Sequence, residues 1–298
     1  MKTQTAVFLS LLIVLFISLI AVWFIPSIED FMASNNAWNG LRAFVSESQA
    51  VIPDDMTQIP GSPAKKALIV VPYLEYSTEE LARLKEFVSD GGILILMDDF
   101  GFGNGILEYL GVKARFGKAA LLDPLFNYRH QWLPKITDFS APVLEKNKDI
   151  DLVVLNHATI IQNVTAGEVL ARSSPTSFLD VNLNEIQNDN EPAGGLPVAA
   201  RIKYGSGFLI LVSDPSLMIN SMVNRDDNFA FLQALAELEG ERGLSVDTSH
   251  LTKSPLDITK SGLTRVRDLL AKPYPLLGFV SIIFVGVTGM ILRGGRTN

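Results

Sequence analysis

Two long apolar segments lie near the ends of the chain, and almost all charged residues lie between them. Residues 6–25 have Ser10 and Ser18 as their only polar side chains, and residues 273–292 carry no charge. A helix of about 20 residues is about 30 Å long, which matches the hydrocarbon core of a bilayer. The pattern therefore predicts two transmembrane helices, over residues 6–25 and 273–292, on either side of a folded domain.

The first apolar segment has a second interpretation, a cleaved signal peptide. Its apolar run is longer than the 7–15 residues typical of such peptides, and residues 23–26 (Trp-Phe-Ile-Pro) are a poor cleavage site. We therefore favour an uncleaved anchor.

The charges beside the two segments predict which side of the membrane the central domain occupies. Lys2 precedes the first segment, and Arg293 and Arg296 follow the second. Cytoplasmic flanks are enriched in Lys and Arg, so we expect a two-pass protein of the cell membrane with an extracytoplasmic central domain. Basic residues within 265–272 favour the opposite orientation. We give them less weight because long loops cross the membrane largely regardless of charge.

The clearest pattern in the central domain is a βαβ unit. Residues 67–72 and 93–97 are continuous apolar runs, as expected for strands buried on both faces. Between them, Ser77 and Glu80 have the spacing of a capping box, and the helix that they open ends at Gly91 and Gly92. A strand, a capped helix and a strand within about 30 residues predict a parallel sheet.

Further patterns extend this α/β domain over residues 30–240. We predict a third buried strand at 152–156, an exposed loop at 173–195, and a hairpin of strands 198–204 and 208–212. A helix is predicted to start at Asp226 and Asp227. Residues 241–272 are interpreted as a membrane-proximal tether. The expected fold class is thus α/β, a mostly parallel sheet domain flanked by two transmembrane helices.

Charge and composition then exclude several functions. The sequence between the two apolar segments contains 22 basic and 32 acidic residues, which gives it a net charge of −10. This argues against a nucleic-acid partner, whose binding depends on clustered Lys and Arg. The chain has no Cys, which removes disulfides, thiolate metal sites and Cys nucleophiles. We expect no cofactor.

Acidic side chains follow two of the predicted strands. Asp98 and Asp99 come after strand 93–97, and Asp214 comes after strand 208–212. If these strands are neighbours, the three carboxylates could bind Mg²⁺ or Ca²⁺ at the carboxyl edge of the sheet. We favour the alternative that each Asp caps the turn after it. The candidate ligand-binding residues are Asp98, Asp99, Asn104, Asp214, Asp227 and Asn228.

Other motifs give no catalytic assignment. Gly101, Gly103 and Gly105 have G-x-G-x-G spacing with no Lys after them, which favours a tight turn over nucleotide binding. The three histidines, at 130, 157 and 250, are not at metal-ligand spacing. His157 is a candidate general base, although a structural hydrogen bond is the favoured interpretation. No G-x-S-x-G elbow is present.

An ordered set of motifs resembles a known group of proteins. It comprises the N-terminal anchor, Gly91-Gly-Ile-Leu-Ile-Leu96, the hairpin Gly205-Ser-Gly-Phe-Leu-Ile-Leu-Val-Ser-Asp214, and the helix start Asn224-Arg-Asp-Asp-Asn228. The set resembles an uncharacterised membrane-anchored family with a class I glutamine-amidotransferase-like, flavodoxin-like domain, similar to the gliding-motility-type auxiliary component of ABC transporters. The resemblance implies binding or scaffolding. The turn near Asp99–Gly103, where an amidotransferase has its Cys, has none here.

Two functions are therefore expected from the sequence. The first is a non-catalytic, membrane-anchored extracytoplasmic domain that binds a membrane or envelope protein or an envelope ligand, as an auxiliary to an ABC transporter or to another envelope assembly. The lipid bilayer itself is its other partner. The alternative is a metal-dependent hydrolase of small polar substrates with Asp98, Asp99 and Asp214 as metal ligands.

Overall fold

The computed structural model describes residues 2–53, residues 62–274 and five positions between 277 and 288. The chain forms two compact units. One contains residues up to 27 together with those from 253 onward, and the other contains residues 28–252.

The described residues form α-helices and β-strands, with several runs of consecutive strands. The helices are α1 (Lys2–Phe24), α2 (Arg42–Ser48), α3 (Thr78–Ser89), α4 (Asn104–Tyr109), α5 (Ala141–Lys146), α6 (Asn228–Ala236) and α7 (Pro255–Leu270). The strands are β1 (Lys66–Val70), β2 (Ile93–Met97), β3 (Arg115–Phe116), β4 (Ala120–Leu122), β5 (Asn127–Tyr128), β6 (His130–Ile136), β7 (Asp138–Phe139), β8 (Val153–Val154), β9 (Ile161–Gln162), β10 (Gly167–Arg172), β11 (Phe178–Asp180), β12 (Pro197–Tyr204), β13 (Gly207–Val212) and β14 (Gly243–Asp247).

The central sheet has the strand order β14-β1-β2-β13-β12-β10-β7. Strands β14, β1, β2 and β13 are parallel to one another, whereas β12, β10 and β7 pair antiparallel. The predicted α/β class, the β1–α3–β2 unit and the β12–β13 hairpin are therefore confirmed. The sheet is mixed because the hairpin reverses the chain direction at β12.

The local signals that predicted the βαβ unit act as expected. The Ser77 hydroxyl accepts a hydrogen bond from the Glu80 amide at 3.3 Å, and a Glu80 carboxylate oxygen accepts one from the Ser77 amide at 2.8 Å. The helix ends before Gly91, whose φ of +103° suits a residue without a Cβ.

Both faces of the sheet are covered, which explains the continuous apolar strands. Leu94 and Leu96 of β2 pack in the same buried cluster as Leu84 of α3. Ile95 lies in the cluster on the other face, with Phe44 of α2. A strand that is buried on both faces has apolar side chains on both, so its sequence is a continuous apolar run and does not alternate with polar residues.

Residues 152–156 do not form a third strand of the central sheet. Within them, β8 pairs antiparallel with β6, with Val154 opposite Lys135, in a separate three-stranded sheet. The apolar run correctly indicated burial, but burial does not specify the pairing partner. Strand β11 lies within the predicted loop 173–195 and pairs with β4.

The central sheet also extends into the segment interpreted as a tether. Strand β14 pairs in parallel with β1 at the sheet edge, with Ser245 opposite Leu68. Ser245 and Asp247 are buried although they are polar. Because two of its five residues are polar, β14 is not a continuous apolar run, and the apolar pattern does not predict it.

The first unit contains one described helix that is long and apolar enough to cross a membrane, over Ala6–Phe24. A signal sequence would meet the same criteria. The predicted second span, residues 273–292, lies mostly outside the described residues, so two-pass topology is not shown. The amphipathic helix α7 packs against α1, where the Arg267 guanidinium lies 5.7 Å from the Trp23 ring centre.

Candidate functional site

Parallel pairing brings the carboxyl ends of four strands to one edge of the sheet. Asp247 ends β14, Tyr73 follows β1, Asp98 and Asp99 follow β2, and Asp214 follows β13. Strands β2 and β13 are neighbours, with Met97 paired to Val212. This is the edge at which open α/β sheets usually bind ligands.

Asp98 organises the loop that leads into α4. One carboxylate oxygen accepts hydrogen bonds from the amides of Phe100 at 3.0 Å and Gly101 at 3.1 Å. The other accepts from Gly103 at 2.7 Å. Burial raises the pKa of Asp98 and these backbone bonds partly oppose it. Both oxygens of Asp98 are therefore engaged by its own loop.

Asp214 has a similar role at the end of β13. Its side chain is fully buried and accepts from the amides of Asn156 at 2.6 Å and Ser216 at 2.7 Å. Burial raises the pKa of Asp214 well above its usual value, and the charge of Asp99 raises it further, although the Asn156 bond opposes this. The residue joins two loops and leaves neither oxygen unbonded.

Two more predicted ligand residues bind the backbone. The Asn104 side chain accepts from the Phe116 amide at 2.8 Å and donates to its carbonyl at 3.0 Å, which ties α4 to β3. One Asp227 oxygen accepts from the amides of Asp151 and Leu152, both at 2.9 Å.

Asn228 is fully buried and lies beside β8. Its oxygen accepts from the Val154 amide at 2.8 Å, and its amide group donates to the carbonyls of Val154 at 3.0 Å and Met222 at 2.9 Å. This residue joins three chain segments and is not available to a ligand.

Asp99 differs from the other five members of the predicted set. Its Oδ1 atom is buried and has no hydrogen-bond partner, while the side chain as a whole is partly exposed. Burial raises the pKa of Asp99 to about 7, and the charge of Asp98 adds to the effect. Asp99 is thus partly protonated near neutral pH, which is unusual for a carboxyl group.

Asp99→Asn is expected to stabilise the protein in alkaline solution. A carboxyl whose pKa rises from 3.8 to about 7 on folding costs stability as the pH increases across that interval. Removing the charge should therefore raise the free energy of unfolding at pH 8 by up to about 4 kcal/mol, with almost no change at pH 3. Denaturant unfolding of the detergent-solubilised chain at both values measures this. Asp189→Asn, at an exposed carboxyl, is the control, and an equal effect of Asp99→Asn at both pH values would contradict the prediction.

Four aromatic rings lie in series at this edge of the sheet. The ring of Phe31 lies 5.6 Å from that of Tyr73, Tyr73 lies 6.2 Å from Phe102, and Phe102 lies 5.9 Å from Phe100. We call these four residues the aromatic row. Phe100 and Phe102 are 57% and 55% exposed, while Phe31 is buried. The row therefore runs from the core to solvent.

A cleft of about 400 Å³ adjoins the aromatic row. Its walls come from the loop after β1 and from the start of α4, and they include Tyr73, Leu74, Tyr76, Leu81, Phe102 and Ile106. Glu75 is also part of the lining. The volume lies within the range of small-ligand sites, and the mixture of apolar walls with few polar groups is typical of them.

A buried polar cluster that sequence reasoning missed supports the wall of this cleft. The Tyr76 ring stacks on His250 with 3.5 Å between centres, and its hydroxyl donates to Asp247 at 2.7 Å. The two ring nitrogens of His250 lie 2.8 Å from an Asp247 oxygen and 3.4 Å from a Glu80 oxygen. We call Tyr76, Glu80, Asp247 and His250 the histidine cluster. No local motif reveals it, because it joins one pair of residues near position 78 to another pair near position 248.

The protonation states in the histidine cluster follow from these contacts. Burial lowers the pKa of His250, but the hydrogen bond to Asp247 and the charges of Asp247 and Glu80 raise it by more, so the net pKa lies above the usual value. Burial raises the pKa of Asp247, but bonds from His250, Ser249 and Tyr76 lower it by more. The cluster therefore favours a charged His250 between two carboxylates.

The other histidines lie outside this cluster. His157 is exposed, and its ring centre lies 4.7 Å from that of Trp132. Burial of part of the ring and the nearby charge of His130 lower the pKa of His157.

A metal site is not formed by the predicted ligands. Within residues 2–53 and 62–274, no group of three or more His, Cys, Asp or Glu side chains is arranged to hold a metal ion, so Asp98, Asp99 and Asp214 do not form one. The reason is that the oxygens of Asp98 and Asp214 already accept backbone hydrogen bonds.

Comparison with known proteins assigns the chain to a family. Residues 33–236 match a domain of unknown function, DUF4350. The matched range includes every strand of the central sheet except β14. The chain belongs to the DUF4350 family. The match agrees with the expectation of a domain of unknown function, and it gives no evidence for the amidotransferase-like, transporter-associated family, which stays a prediction. No curated protein matches the chain.

Several solved structures are similar to this DUF4350 chain. The N-terminal domain of mmIFT52 is 13% identical with a TM-score of 0.48, over 66% of this chain and 88% of that one. A β-galactosidase from Bacillus circulans sp. alkalophilus is 15% identical with a TM-score of 0.37, over 60% of this chain and only 23% of the enzyme. A thua-like protein from Bacteroides uniformis is 12% identical with a TM-score of 0.36, over 61% and 93%. None of these likenesses supports a functional assignment.

Proposed function

We propose that this protein is a non-catalytic, membrane-anchored binding domain whose ligand or partner docks at the carboxyl edge of the parallel strands. The observation that carries the proposal is the aromatic row beside the cleft. Phe100 and Phe102 expose more than half of their surface next to a concave, mostly apolar site. Exposed apolar side chains that adjoin one another, unlike those scattered singly, are a mark of interaction sites.

The chemistry of the same edge favours binding over catalysis. The chain has no Cys, and the oxygens of Asp98 and Asp214 are engaged by backbone amides. Both ring nitrogens of His250 face carboxylates, so neither is directed at a substrate. A nucleophile paired with a base is the usual requirement for covalent catalysis, and these residues do not supply it.

The membrane anchor is proposed from the helix over Ala6–Phe24 and the apolar segment 273–292. The charges at the chain termini support an extracytoplasmic position of the central domain. A partner in this location would be another membrane or envelope protein.

A finer version of the proposal follows from the motif resemblance. The domain would be an amidotransferase-like fold used as a scaffold, in the manner of the gliding-motility-type auxiliary component of an ABC transporter. The parallel strands β14, β1, β2 and β13 and the glycine-rich turn at Gly101–Gly103 are compatible with that resemblance. A fold of this kind does not by itself specify a ligand.

The alternative, a metal-dependent hydrolase, is less well supported. It requires at least two carboxylates with unbonded oxygens, and Asp99 is the member of the predicted metal set that has one.

Replacing Phe100 and Phe102 together by Ser is expected to reduce partner capture at least tenfold, because buried aromatic side chains at interface centres each contribute about 2 kcal/mol or more. The measurement is quantitative recovery of co-purifying membrane proteins in mild detergent. Thermal stability should change little, since both side chains are more than half exposed.

The matched control removes exposed apolar side chains elsewhere. Leu125 and Leu183 are 78% and 74% exposed, and Leu125→Ser with Leu183→Ser should leave recovery unchanged. Equal recovery by both double variants and the unmodified chain would overturn the proposed docking edge.

A further inference from the structure

We infer that α1 and α7 form a binding site for an anionic phospholipid, with an acyl chain in the groove between the two helices and the headgroup phosphate at Arg267. Both helices belong to the first compact unit. The inference rests on the membrane anchor of the proposed function and names a specific lipid class as its ligand. Three features support it, namely the lining of the groove, the level of Arg267 along α1 and the charge of the residues around α7.

The groove between α1 and α7 has a volume of about 640 Å³, and its lining is almost entirely apolar. Among the lining residues, Arg267 alone carries a charge. Phe16 and Phe24 of α1 also line the groove and are 65% and 77% exposed, so α7 does not cover them. Apolar walls with one cation match a molecule that has a hydrocarbon chain and an anionic head.

Contacts between the two helices place Arg267 at the level where the apolar segment of α1 ends. The guanidinium of Arg267 lies 5.7 Å from the centre of the Trp23 ring, and Lys260 donates a hydrogen bond to the carbonyl of Ile25. Trp is enriched at the boundary between hydrocarbon and headgroups, and long basic side chains near the end of a span extend toward the same boundary. A lipid whose chain lies in the groove would therefore have its phosphate within reach of Arg267.

The charge around α7 is opposite to that of the rest of the central domain. Residues 253–272 contain five basic and two acidic residues, a net charge of +3, whereas residues 26–252 contain 17 basic and 30 acidic residues, a net charge of −13. Basic residues beside a membrane span attract anionic lipids. Lipid binding also gives these basic residues a role on the extracytoplasmic side, where basic flanks are less common.

This positive charge is only partly neutralised within the protein. Arg267 pairs with Asp268 at 2.7 Å, but both side chains are about 60% exposed, and exposed ion pairs contribute little to stability. A phosphate can therefore compete for the guanidinium. The ion pairs found among the described residues include none with four further basic residues of this segment, Lys253, Lys260, Arg265 and Lys272.

A phospholipid fits these features better than a soluble anion does. The planar guanidinium donates a fork of hydrogen bonds that matches a phosphate group. An acyl chain would in addition cover the apolar walls of the groove, which a free phosphate ion would leave exposed. The gain from covering apolar surface is proportional to the area removed from water.

The test uses Trp23 as a reporter in the full chain, reconstituted in phosphatidylcholine vesicles. Trp38→Phe and Trp132→Phe leave Trp23 as the only tryptophan, and brominated lipids quench tryptophan fluorescence on contact. We expect brominated phosphatidylglycerol to quench Trp23 with an apparent affinity at least threefold higher than that of brominated phosphatidylcholine. Equal quenching by the two lipids would overturn the inference. Failure of both lipids to quench would also overturn it, because the groove would then be covered by protein.

Variants separate Arg267 from the general charge of the chain. Arg267→Gln should remove the preference for phosphatidylglycerol, while quenching by brominated phosphatidylcholine persists and shows that α1 is still in the bilayer. Arg83→Gln, at an exposed Arg of α3, is the matched control and should keep the preference. A preference that survives in the Arg267 variant, or that both variants lose equally, would refute the assignment.

The result can be separated from that for the proposed docking edge. If the partner is captured but phosphatidylglycerol is not preferred, docking is supported and the lipid site fails. If phosphatidylglycerol is preferred but the unmodified chain captures no partner, the lipid site is supported and the docking proposal fails.

Discussion

Replacing Asn228 by Ala should lower the free energy of unfolding by about 3–5 kcal/mol, since buried polar networks are among the few features whose loss costs this much. The side chain makes three hydrogen bonds to the backbone of Val154 and Met222, and Ala leaves an amide and two carbonyls unpaired in the core. Each buried group left unsatisfied costs about 1–3 kcal/mol. Denaturant unfolding of the detergent-solubilised chain measures the change.

The same variant distinguishes a structural residue from a ligand residue. Asn228 belonged to the predicted ligand-binding set, but its contacts are all internal, so whatever fraction remains folded should bind as the unmodified chain does. Asn190→Ala, at an exposed Asn, is the control for loss of an amide side chain. A stability change below about 1 kcal/mol would show that the network contributes less than its geometry indicates.

His250→Phe is expected to destabilise the protein by about 3 kcal/mol at pH 5.5, because it removes the cation from a buried cluster of charges. Phe preserves a ring that can stack on Tyr76, so the loss reports mainly the contacts to Asp247 and Glu80. At pH 8.5 the loss should be smaller, since His250 is then less charged in the unmodified protein.

The pH window follows from the direction of each pKa change. The contribution of His250 is complete below its usual pKa of 6.5 and is lost as the pH rises through its raised pKa. The stabilising contributions of Asp247 and Glu80 are complete above the usual pKa values of these groups, 3.8 and 4.5. They are lost as the pH falls through the lowered pKa values of the folded protein. The cluster should stabilise the fold most between about pH 4.5 and 6.5. A pH profile of unfolding that is flat from 4.5 to 8.5 for both proteins would contradict this.

The parts of the fold that the sequence predicted depend on neighbours in the chain. The capping box at Ser77, the strands on either side of α3 and the hairpin about Gly205 are all decided within about 30 residues. The missed strands depend on partners far away: β14 pairs with β1 across more than half of the chain. Distant pairing has no local signature, particularly when buried positions such as Ser245 are polar.

For the candidate site, the sequence predicts which edge of the sheet carries the acidic residues, but not the contacts of each side chain. The expected strand ends do bring Asp98, Asp99 and Asp214 to one edge of the sheet, because β2 and β13 are neighbours. That this edge binds a ligand stays a prediction. The amides of the loop after β2 donate hydrogen bonds to Asp98 and leave Oδ1 of Asp99 without a partner. This difference between two adjacent residues depends on the conformation of the loop, which the sequence does not specify. The contact between Phe31 and Tyr73 likewise depends on tertiary packing.

The position of β14 has a mechanical consequence. It is the last strand before the segment that begins at residue 253, and it is held at the sheet margin by β1 on one side and by a bridge from Val51. Tension that enters the domain from its C-terminal end must therefore reach β14 before any other strand. His250 lies between β14 and residue 253 and stacks on Tyr76, so the same contact that shapes the cleft joins the C-terminal end of the domain to the segment after β1.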